Sequence, residues 1–482
     1  MNHELIESIV SGAAVGLGWF VLGFAALQSL LYTLYVVLAA LELYAASQRR
    51  RRTQEDWLLG AQSIPGISLL VPAHNEERTV VENLKSLLTS RYPRFEVIVV
   101  NDGSTDGTLA AIIAAFHLER IELHRPALAP CARIRGVYRH RDFPNLLLID
   151  KENGGKSDAL NAGINYAHHP LVCGVDADSL LDHQALLKAV RPFAEQPATL
   201  IAVGGTIRLA NGSEVRNGQI VREGTPTRPV LLFQMAEYLR AFLISRLSLS
   251  RMGSVAIISG AFGLFQRRAV LEVGGYTHGT VGEDMELIVK LHRHFLEAGR
   301  PYSIQFVPDP VCWTEAPGTL AGLRRQRTRW QRGLCEVLWM HRDMVLNPRY
   351  GRIGLIGLPV YVLFDVIGPF LDLAGLILLP LCWYYDLISV PFLLAYFAVI
   401  ALYGVFLSMA ALIMGELALF HTTRKRDMVA LAFAAVAENF GYRQINLWWR
   451  IEGLWQFLSG RQGWGEMTRV GFDRPRADPK PR

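Results

Sequence analysis

Two acidic clusters in this chain carry residue types and spacings suited to chemistry. The first, Val175-Asp176-Ala177-Asp178-Ser179, sets two carboxylates one residue apart at the end of an apolar run over residues 171–175. Hard cations such as Mg²⁺ or Mn²⁺ take carboxylate oxygens and commonly share them with phosphate groups. Asp176 and Asp178 are therefore candidate ligands for a divalent cation that neutralises a leaving diphosphate. The plainer alternative is an exposed turn ahead of a helix. Placement at the carboxyl end of a strand favours the ligand role, because ligands of open α/β sheets bind there. The second cluster, Gly282-Glu283-Asp284-Met285-Glu286-Leu287, opens a stretch with Leu287, Ile288 and Leu291 on one helical stripe. A carboxylate at such a place suits a general base that deprotonates an attacking hydroxyl. Acidic residues at a helix start also complement the helix dipole, a reading that fits Glu283 better than the whole cluster.

Further segments supply groups for a nucleotide and a sugar. Pro72-Ala73-His74-Asn75-Glu76-Glu77 and Asn101-Asp102-Gly103-Ser104-Thr105-Asp106 each follow an apolar run. Carboxylates accept hydrogen bonds from a uracil imide or a ribose hydroxyl, and glycine lets the backbone approach a ligand closely. Pro72, Asn75, Glu76, Asp102, Gly103 and Ser104 are thus candidate donor-sugar contacts, although Asp102 and Ser104 alone also read as turn and capping residues. Asp150-Lys151-Glu152-Asn153-Gly154-Gly155-Lys156-Ser157-Asp158 places glycines ahead of a lysine at a helix start. That arrangement suits Lys156 and Asp158 to phosphate and ribose, with a solvated first-turn lysine as the alternative. Gln326-Arg327-Thr328-Arg329-Trp330 joins guanidinium forks and an indole within about one helical turn. Arginine binds pyrophosphate bidentately and tryptophan offers a flat face to a sugar ring. A basic interfacial helix with an anchoring tryptophan competes with that reading.

These groups need a scaffold, and the pattern between them provides one. Apolar runs at 67–71, 97–100, 146–149 and 171–175 read as strands. Val80, Leu84, Leu87 and Leu88, then Leu109, Ile112, Ile113 and Phe116, recur at helical spacing between the first runs. Alternating strand and helix predicts a parallel, doubly wound sheet with the polar clusters at strand ends. Neither GxGxxG nor GxxxxGK[ST] occurs, so no dinucleotide oxidoreductase or P-loop NTPase is signalled. Residues 211–229 predict a long loop or hairpin, 231–249 an amphipathic helix against a membrane surface, and 319–342 a second, basic amphipathic helix.

Hydrophobic residues make up 51% of the 482 positions, and the mean hydropathy is +0.22, more apolar than a soluble protein of this size needs. Residues 8–41 and 387–415 carry no charged side chain, whereas 63–299 have the composition of a soluble domain. A membrane span needs about 20 apolar residues. The first stretch exceeds that and follows a net acidic start, so it reads as a retained anchor rather than a signal peptide. Apolar segments follow near 353–385, 387–420 and 428–458; Glu438, Arg443 and Arg450 in the last normally face a bundle interior or pore. Arg49, Arg50, Arg51 and Arg52 place the amino terminus outside and the central domain in the cytoplasm, with the basic segment 422–427 on the same side. A net charge of +6 suits an anionic inner leaflet, and no nucleic-acid-binding motif is present. Five cysteines without metal spacing read as reduced thiols. The expected division is a transmembrane anchor over 1–48, a catalytic domain over 63–315, an interface-helix region over 316–350, transmembrane helices over 351–458 and a cytoplasmic tail over 459–482.

Asp102, the Asp176 and Asp178 pair, Gly282-Glu283-Asp284 and Gln326 to Trp330 occur intact and in order. The set resembles the membrane-integrated processive branch of glycosyltransferase family 2, which includes cellulose, hyaluronan, chitin-oligosaccharide and poly-N-acetylglucosamine synthases. The resemblance runs from about Ile67 to Trp330. It implies a cytoplasmic α/β domain of GT-A (Rossmann-like) fold inserted between transmembrane helices, with amphipathic interface helices. It also implies inverting, Mg²⁺- or Mn²⁺-dependent transfer from a UDP-sugar to a growing β-linked exopolysaccharide such as those of biofilms. In that scheme Asp284, beside Glu283, is the catalytic base, and Asp176 and Asp178 hold the cation. Gln326, Arg329 and Trp330, with Arg327 between them, close over diphosphate and acceptor. Ser259-Gly260-Ala261-Phe262-Gly263 loosely matches the segment beneath the acceptor sugar, without the cysteine of cellulose synthases. Ser259, Gly260 and Phe262 join Trp330 as acceptor candidates. The ending Trp464-Gly465-Glu466-Met467-Thr468-Arg469 resembles synthases that polymerise N-acetylglucosamine and favours UDP-N-acetylglucosamine as donor. Implied partners are the UDP-sugar, a glycan acceptor, the bilayer of the inner (plasma) membrane crossed several times, and accessory export subunits. A cyclic-di-GMP module with its RxxxR signature is not expected after the membrane helices. Two alternatives stand beside this scheme. One is transfer of a single sugar to a lipid, as in the dolichyl-phosphate and ceramide branches, and the other is a non-catalytic scaffold, which degenerate motifs would support.

Overall fold

A computed structural model describes residues 2–52, 64–216, 218–419 and 425–460; the ending at 464–469 lies outside the described residues, as do 422–424 of the basic segment 422–427. The chain divides into two compact units. The α/β unit holds the described residues within 48–227 and 257–317, and the helical unit holds those within 2–47, 228–256 and 318–460.

Twelve strands lie in the α/β unit: β1 (Ile67–Ala73), β2 (Phe95–Asp102), β3 (Glu119–Ile121), β4 (Ile134–His140), β5 (Phe143–Lys151), β6 (Leu171–Gly174), β7 (Leu180–Leu181), β8 (Leu200–Leu209), β9 (Glu214–Arg216), β10 (Gln219–Arg222), β11 (Gly263–Gln266) and β12 (Ser303–Thr314). Ten of them form one sheet in the order β3-β4-β5-β2-β1-β6-β11-β8-β12-β7. The centre, β5-β2-β1-β6, is parallel as the alternation predicts, with Val71 opposite Val99 and Val99 opposite Leu148. Val97 to Val100 and Leu146 to Ile149 are buried, the continuous apolar pattern of strands covered on both faces. The sheet as a whole is mixed. β4 and β5 are joined by only two residues, a connection that permits only antiparallel pairing, and β11 runs antiparallel to both β6 and β8. The segment expected as a loop or hairpin contains the antiparallel pair β9 and β10.

The Val80–Leu88 and Thr108–Phe116 helices turn Val80, Leu84 and Leu87, and Ile112 and Phe116, into the core. Each such side chain contributes roughly 1.5–3 kcal/mol on burial. Their seating fixes the loops at the ends of β1 and β2.

In the helical unit three helices are long and apolar enough to cross a membrane: Gly18–Arg49, Ile353–Tyr384 and Val390–Ala418. The third apolar segment expected in the carboxyl-terminal half, 428–458, lies on two helices. It breaks at Gly441 (φ 101°) into Lys425–Ala437 and Tyr442–Leu458, both shorter than a span requires. The cause is visible in its charges. Glu438 is fully buried and accepts from the Arg240 guanidinium, from Arg443 Nη2 at 2.8 Å and from Ser408 Oγ at 2.7 Å, so the chain turns where this ion cluster forms. The Pro229–Leu239 helix continues through a π-helical stretch, Arg240–Arg246, into Leu247–Arg251. The basic Leu320–Met340 helix, capped by Thr319 Oγ1 accepting from Gly322 N at 3.2 Å, packs against Tyr442–Leu458. Gly453 lets the two approach closely, since a Cβ there would stand 2.7 Å from the Thr328 carbonyl.

Candidate active site

At the carboxyl ends of β1 and β2 two loops are laced together. Asn75, in the left-handed region at φ 56°, donates its N–H to Ser104 Oγ (3.1 Å) and accepts from Thr105 N (2.8 Å). Glu76 N–H donates to Thr108 Oγ1 at 2.9 Å, and the Glu76 carboxylate accepts from Thr79 Oγ1 at 2.8 Å. Pro72 lies within β1 beside this junction. Gly103 (φ 61°) permits a close approach of the 153–155 loop: a Cβ on it would stand 2.7 Å from Asn153 N.

Asp102 is 3% exposed, and its carboxylate accepts from Gly154 N (3.0 Å), Gly155 N (2.8 Å) and the Lys151 ammonium. Lys151 is fully buried and lies 2.6 Å from Asp158, which in turn accepts from Ala132 N at 2.9 Å. Asp102, Lys151 and Asp158 therefore form a buried ion triad that anchors the 153–155 loop. An isolated ammonium in this place would be prohibitively costly, and its two partners remove that cost. Lys151 was not among the residues singled out from the sequence. The signal lay in a lysine that closes a strand directly after the apolar run Leu146 to Ile149 and Asp150.

The anchored loop delivers Lys156, the first residue of the Lys156–Tyr166 helix, to a second cluster. Its Nζ lies 2.6 Å from Asp176 Oδ1 and 3.2 Å from Glu283 Oε1. Burial opposes the Lys156 charge, yet Asp176 and Glu283 outweigh it and hold the ammonium above the ordinary lysine range. Burial raises Glu283, against the pull of Lys156. Burial and then the Asp176 charge push Asp178 up to about 7. Asp284 Oδ2 accepts from Gly260 N at 3.2 Å and Oδ1 from Met285 N at 2.8 Å, which leaves lone pairs for a further donor. Gly260 sits among all of these: a Cβ on it would meet Lys156 Nζ at 2.8 Å and Asp284 Cβ and Glu283 Oε1 each at 3.7 Å. Ser259 is half-buried beside it, while Phe262 is fully buried and supports the loop by packing.

The structure thus gathers Lys156, Asp176, Gly260, Glu283 and Asp284 into one polar cluster at the sheet's carboxyl edge, with Asp178 two residues from Asp176. Among the described residues no three His, Cys, Asp or Glu side chains come together as a metal cage. Asp176 and Asp178 still fit a hard cation as a pair of carboxylate donors whose remaining positions phosphate oxygens would fill.

Comparison with known proteins decides the chemistry, since the family described as "Glycosyltransferase like family 2" matches residues 65–333, more than half of the chain. The chain belongs to that family. Curated relatives of this glycosyltransferase include "Poly-beta-1,6-N-acetyl-D-glucosamine synthase" of Staphylococcus aureus (strain COL), 29% identical over 332 residues that cover 69% of this chain and 68% of that one. The Staphylococcus epidermidis protein of the same name is 34% identical over 278 residues, 58% of this chain and 56% of that one. Among solved structures, a mannosyltransferase from Pyrobaculum calidifontis, in complex with GDP-Man and Mn²⁺, superposes with a TM-score of 0.50 at 22% identity. The match covers 86% of this chain and 99% of that one, a likeness of fold. The glycosyltransferase accordingly has a GT-A-like mixed sheet, and its apolar helices make it a membrane protein.

In the helical unit, Gln326, Arg327, Arg329 and Trp330 lie on the Leu320–Met340 helix. Arg327 is buried and paired with Glu237, while Trp330 is 42% exposed. Glu237 and Tyr442, the partners of Arg327, gave no signal in the sequence because they stand outside every motif.

Proposed function

We propose that this glycosyltransferase transfers N-acetylglucosamine from UDP-N-acetylglucosamine to the end of a growing β-linked exopolysaccharide, with inversion and repeatedly on one chain. The observation that carries the reading is the convergence of Lys156, Asp176, Gly260, Glu283 and Asp284 in a chain whose curated relatives are named for poly-β-1,6-N-acetyl-D-glucosamine synthesis.

In this mechanism Asp284 takes the proton of the acceptor hydroxyl as its oxygen bonds to the anomeric carbon. The bond from that carbon to the diphosphate breaks, UDP leaves with the electron pair, and attack from the opposite face inverts the centre. Asp176 and Asp178 would hold Mg²⁺ or Mn²⁺, which supplies positive charge for the leaving diphosphate. Lys156, held by Asp176 and Glu283, adds a fixed cation close by. The lacing of Asn75 and Glu76 to the Ser104–Thr108 loop shapes the nucleotide side. Asp102 acts one step back, by setting the glycine loop that carries Lys156. Gln326, Arg329 and Trp330 are assigned, as the family resemblance implies, to diphosphate and acceptor-sugar contacts.

The reading includes topology. The α/β unit lies in the cytoplasm in this reading, which three candidate spans among the described residues, Arg49 to Arg52 after the first, and Lys425 and Arg426 after the third support. The growing glycan crosses the inner membrane from there, with accessory export subunits as partners. Incubating membranes containing the protein with UDP-N-acetylglucosamine is expected to give long polymer; label confined to a lipid extract, or products with one added sugar, would contradict the proposal. Asp178→Ala is expected to weaken Mn²⁺-dependent UDP binding, and an unchanged Mn²⁺ dependence would remove the metal role.

A further inference from the structure

Arg327 and Trp330 stand three residues apart on the Leu320–Met340 helix and so share a face. The Arg327 Cζ lies 4.5 Å from the centre of the Trp330 ring, within the range of a cation–π contact. The guanidinium is itself held from beneath. Its Nη2 donates to Glu237 Oε2 at 2.8 Å, and the Tyr442 hydroxyl donates to the same oxygen at 2.9 Å. Tyr442 is buried with Leu323 and Trp449, and its ring packs on Phe233 at 4.9 Å between centroids. One carboxylate oxygen thus joins three helices, Pro229–Leu239, Leu320–Met340 and Tyr442–Leu458, beneath a single exposed indole.

We propose that Glu237 and Tyr442 are positioning residues that fix the orientation of the Trp330 indole through Arg327. The inference rests on the reading that Trp330 contacts the acceptor sugar. The physical argument is one of rotational freedom. An indole that is 42% exposed has few packing neighbours on its outer side, so its orientation depends on what lies under its inner face. A guanidinium serves that role only if it cannot swing away, and Arg327, 8% exposed, has its charge paired where few waters reach it. The plane of Arg327 then orients the ring and leaves the other face for a sugar. Arg327 is accordingly assigned to Trp330 rather than to the diphosphate.

The test uses Glu237→Gln, Tyr442→Phe and Arg327→Lys in the full-length protein, each alone and combined with Trp330→Ala. Arg327→Lys keeps a charge for Glu237 but loses the planar surface under the indole. Each single variant is expected to lower kcat roughly tenfold, since a displaced contact costs up to about a hundredfold, with KM for UDP-N-acetylglucosamine changed by less than about twofold if only the acceptor side is disturbed. None should lower the rate further in the Trp330→Ala background. Additive losses in the double variants, or wild-type rates in all three single variants, would overturn the inference. A second readout needs no activity: with 5-fluorotryptophan incorporated, the Trp330 resonance, assigned by its loss in Trp330→Phe, should shift or broaden in Glu237→Gln and Tyr442→Phe. An unmoved resonance overturns the clamp. A shifted resonance together with full activity of Trp330→Ala overturns the role given to Trp330 instead, so the two failures are told apart.

Discussion

Gly260→Ala perturbs the proposed centre by a single methyl group. Its Cβ would stand 2.8 Å from Lys156 Nζ, whereas ordinary van der Waals contact begins at 3.4 Å, so the ammonium must retreat by about 0.6 Å, the difference of the two. The obstacle is the far end of a flexible side chain, so the fold should tolerate the change. The charge arrangement should not. Lengthening the Lys156–Asp176 contact from 2.6 Å to 3.2 Å changes a pair energy of 332/(εr), at an effective dielectric constant of about 20, by about 1 kcal/mol. If the lysine acts on the leaving diphosphate from this position, the rate falls roughly fivefold. The assay is initial-rate sugar transfer by purified protein beside a melting curve, expected to shift by less than about 2 °C. Gly205→Ala is the comparison. There a Cβ would stand 2.4 Å from the buried Val311 Cγ2, and overpacking of roughly 1–3 kcal/mol should lower the melting temperature while the folded enzyme keeps its kcat. Full activity in Gly260→Ala, or equal behaviour of the two variants, would refute the placement of Lys156 in the reaction.

Asp284→Asn should reduce transfer by roughly 10²- to 10⁴-fold, the usual worth of a general base, while UDP binding persists in a calorimetric titration. Lys151→Met leaves Asp102 and Asp158 buried without their shared cation, and removal of one partner from such a pair typically costs roughly 3–5 kcal/mol; differential scanning calorimetry of the protein should record a marked fall in melting temperature. Glu438→Ala strips the buried carboxylate between Arg240 and Arg443, with a loss of similar size expected in detergent-solubilised protein and little change in KM for donor among molecules that remain folded.

Much of the α/β unit was legible because its centre obeys one rule at a time. Runs such as Val97 to Val100 are apolar throughout, as a strand covered on both faces must be, and the intervening Val80, Leu84 and Leu87 keep helical spacing. The mixed character of the sheet was not legible, since strand direction depends on connection length and on which neighbour β11 meets, and neither is encoded in local pattern. The division of 428–458 into two helices was not legible, because the partner of Glu438 is Arg240, 198 positions earlier in the chain. In the site, residue type together with position at a strand end picked out Asp176, and position at a helix start picked out Lys156, Glu283 and Asp284. Burial then separated roles that type alone cannot. Asp102 and Asp158 are paired with Lys151 and with backbone N–H groups, contacts that residue type alone does not reveal. Arg327 is paired with Glu237 and lies against Trp330, a partnership that its place in the motif does not disclose.

The most direct test is a structure of the Asp284→Asn protein with UDP-N-acetylglucosamine and Mn²⁺ bound. The account predicts the diphosphate at Asp176 and Asp178, Lys156 turned towards it, and the anomeric carbon facing residue 284 across a gap that admits one acceptor hydroxyl, about 3–3.5 Å from the reacting carbon. A nucleotide sugar bound away from Asp176, Asp178 and Lys156 would contradict it.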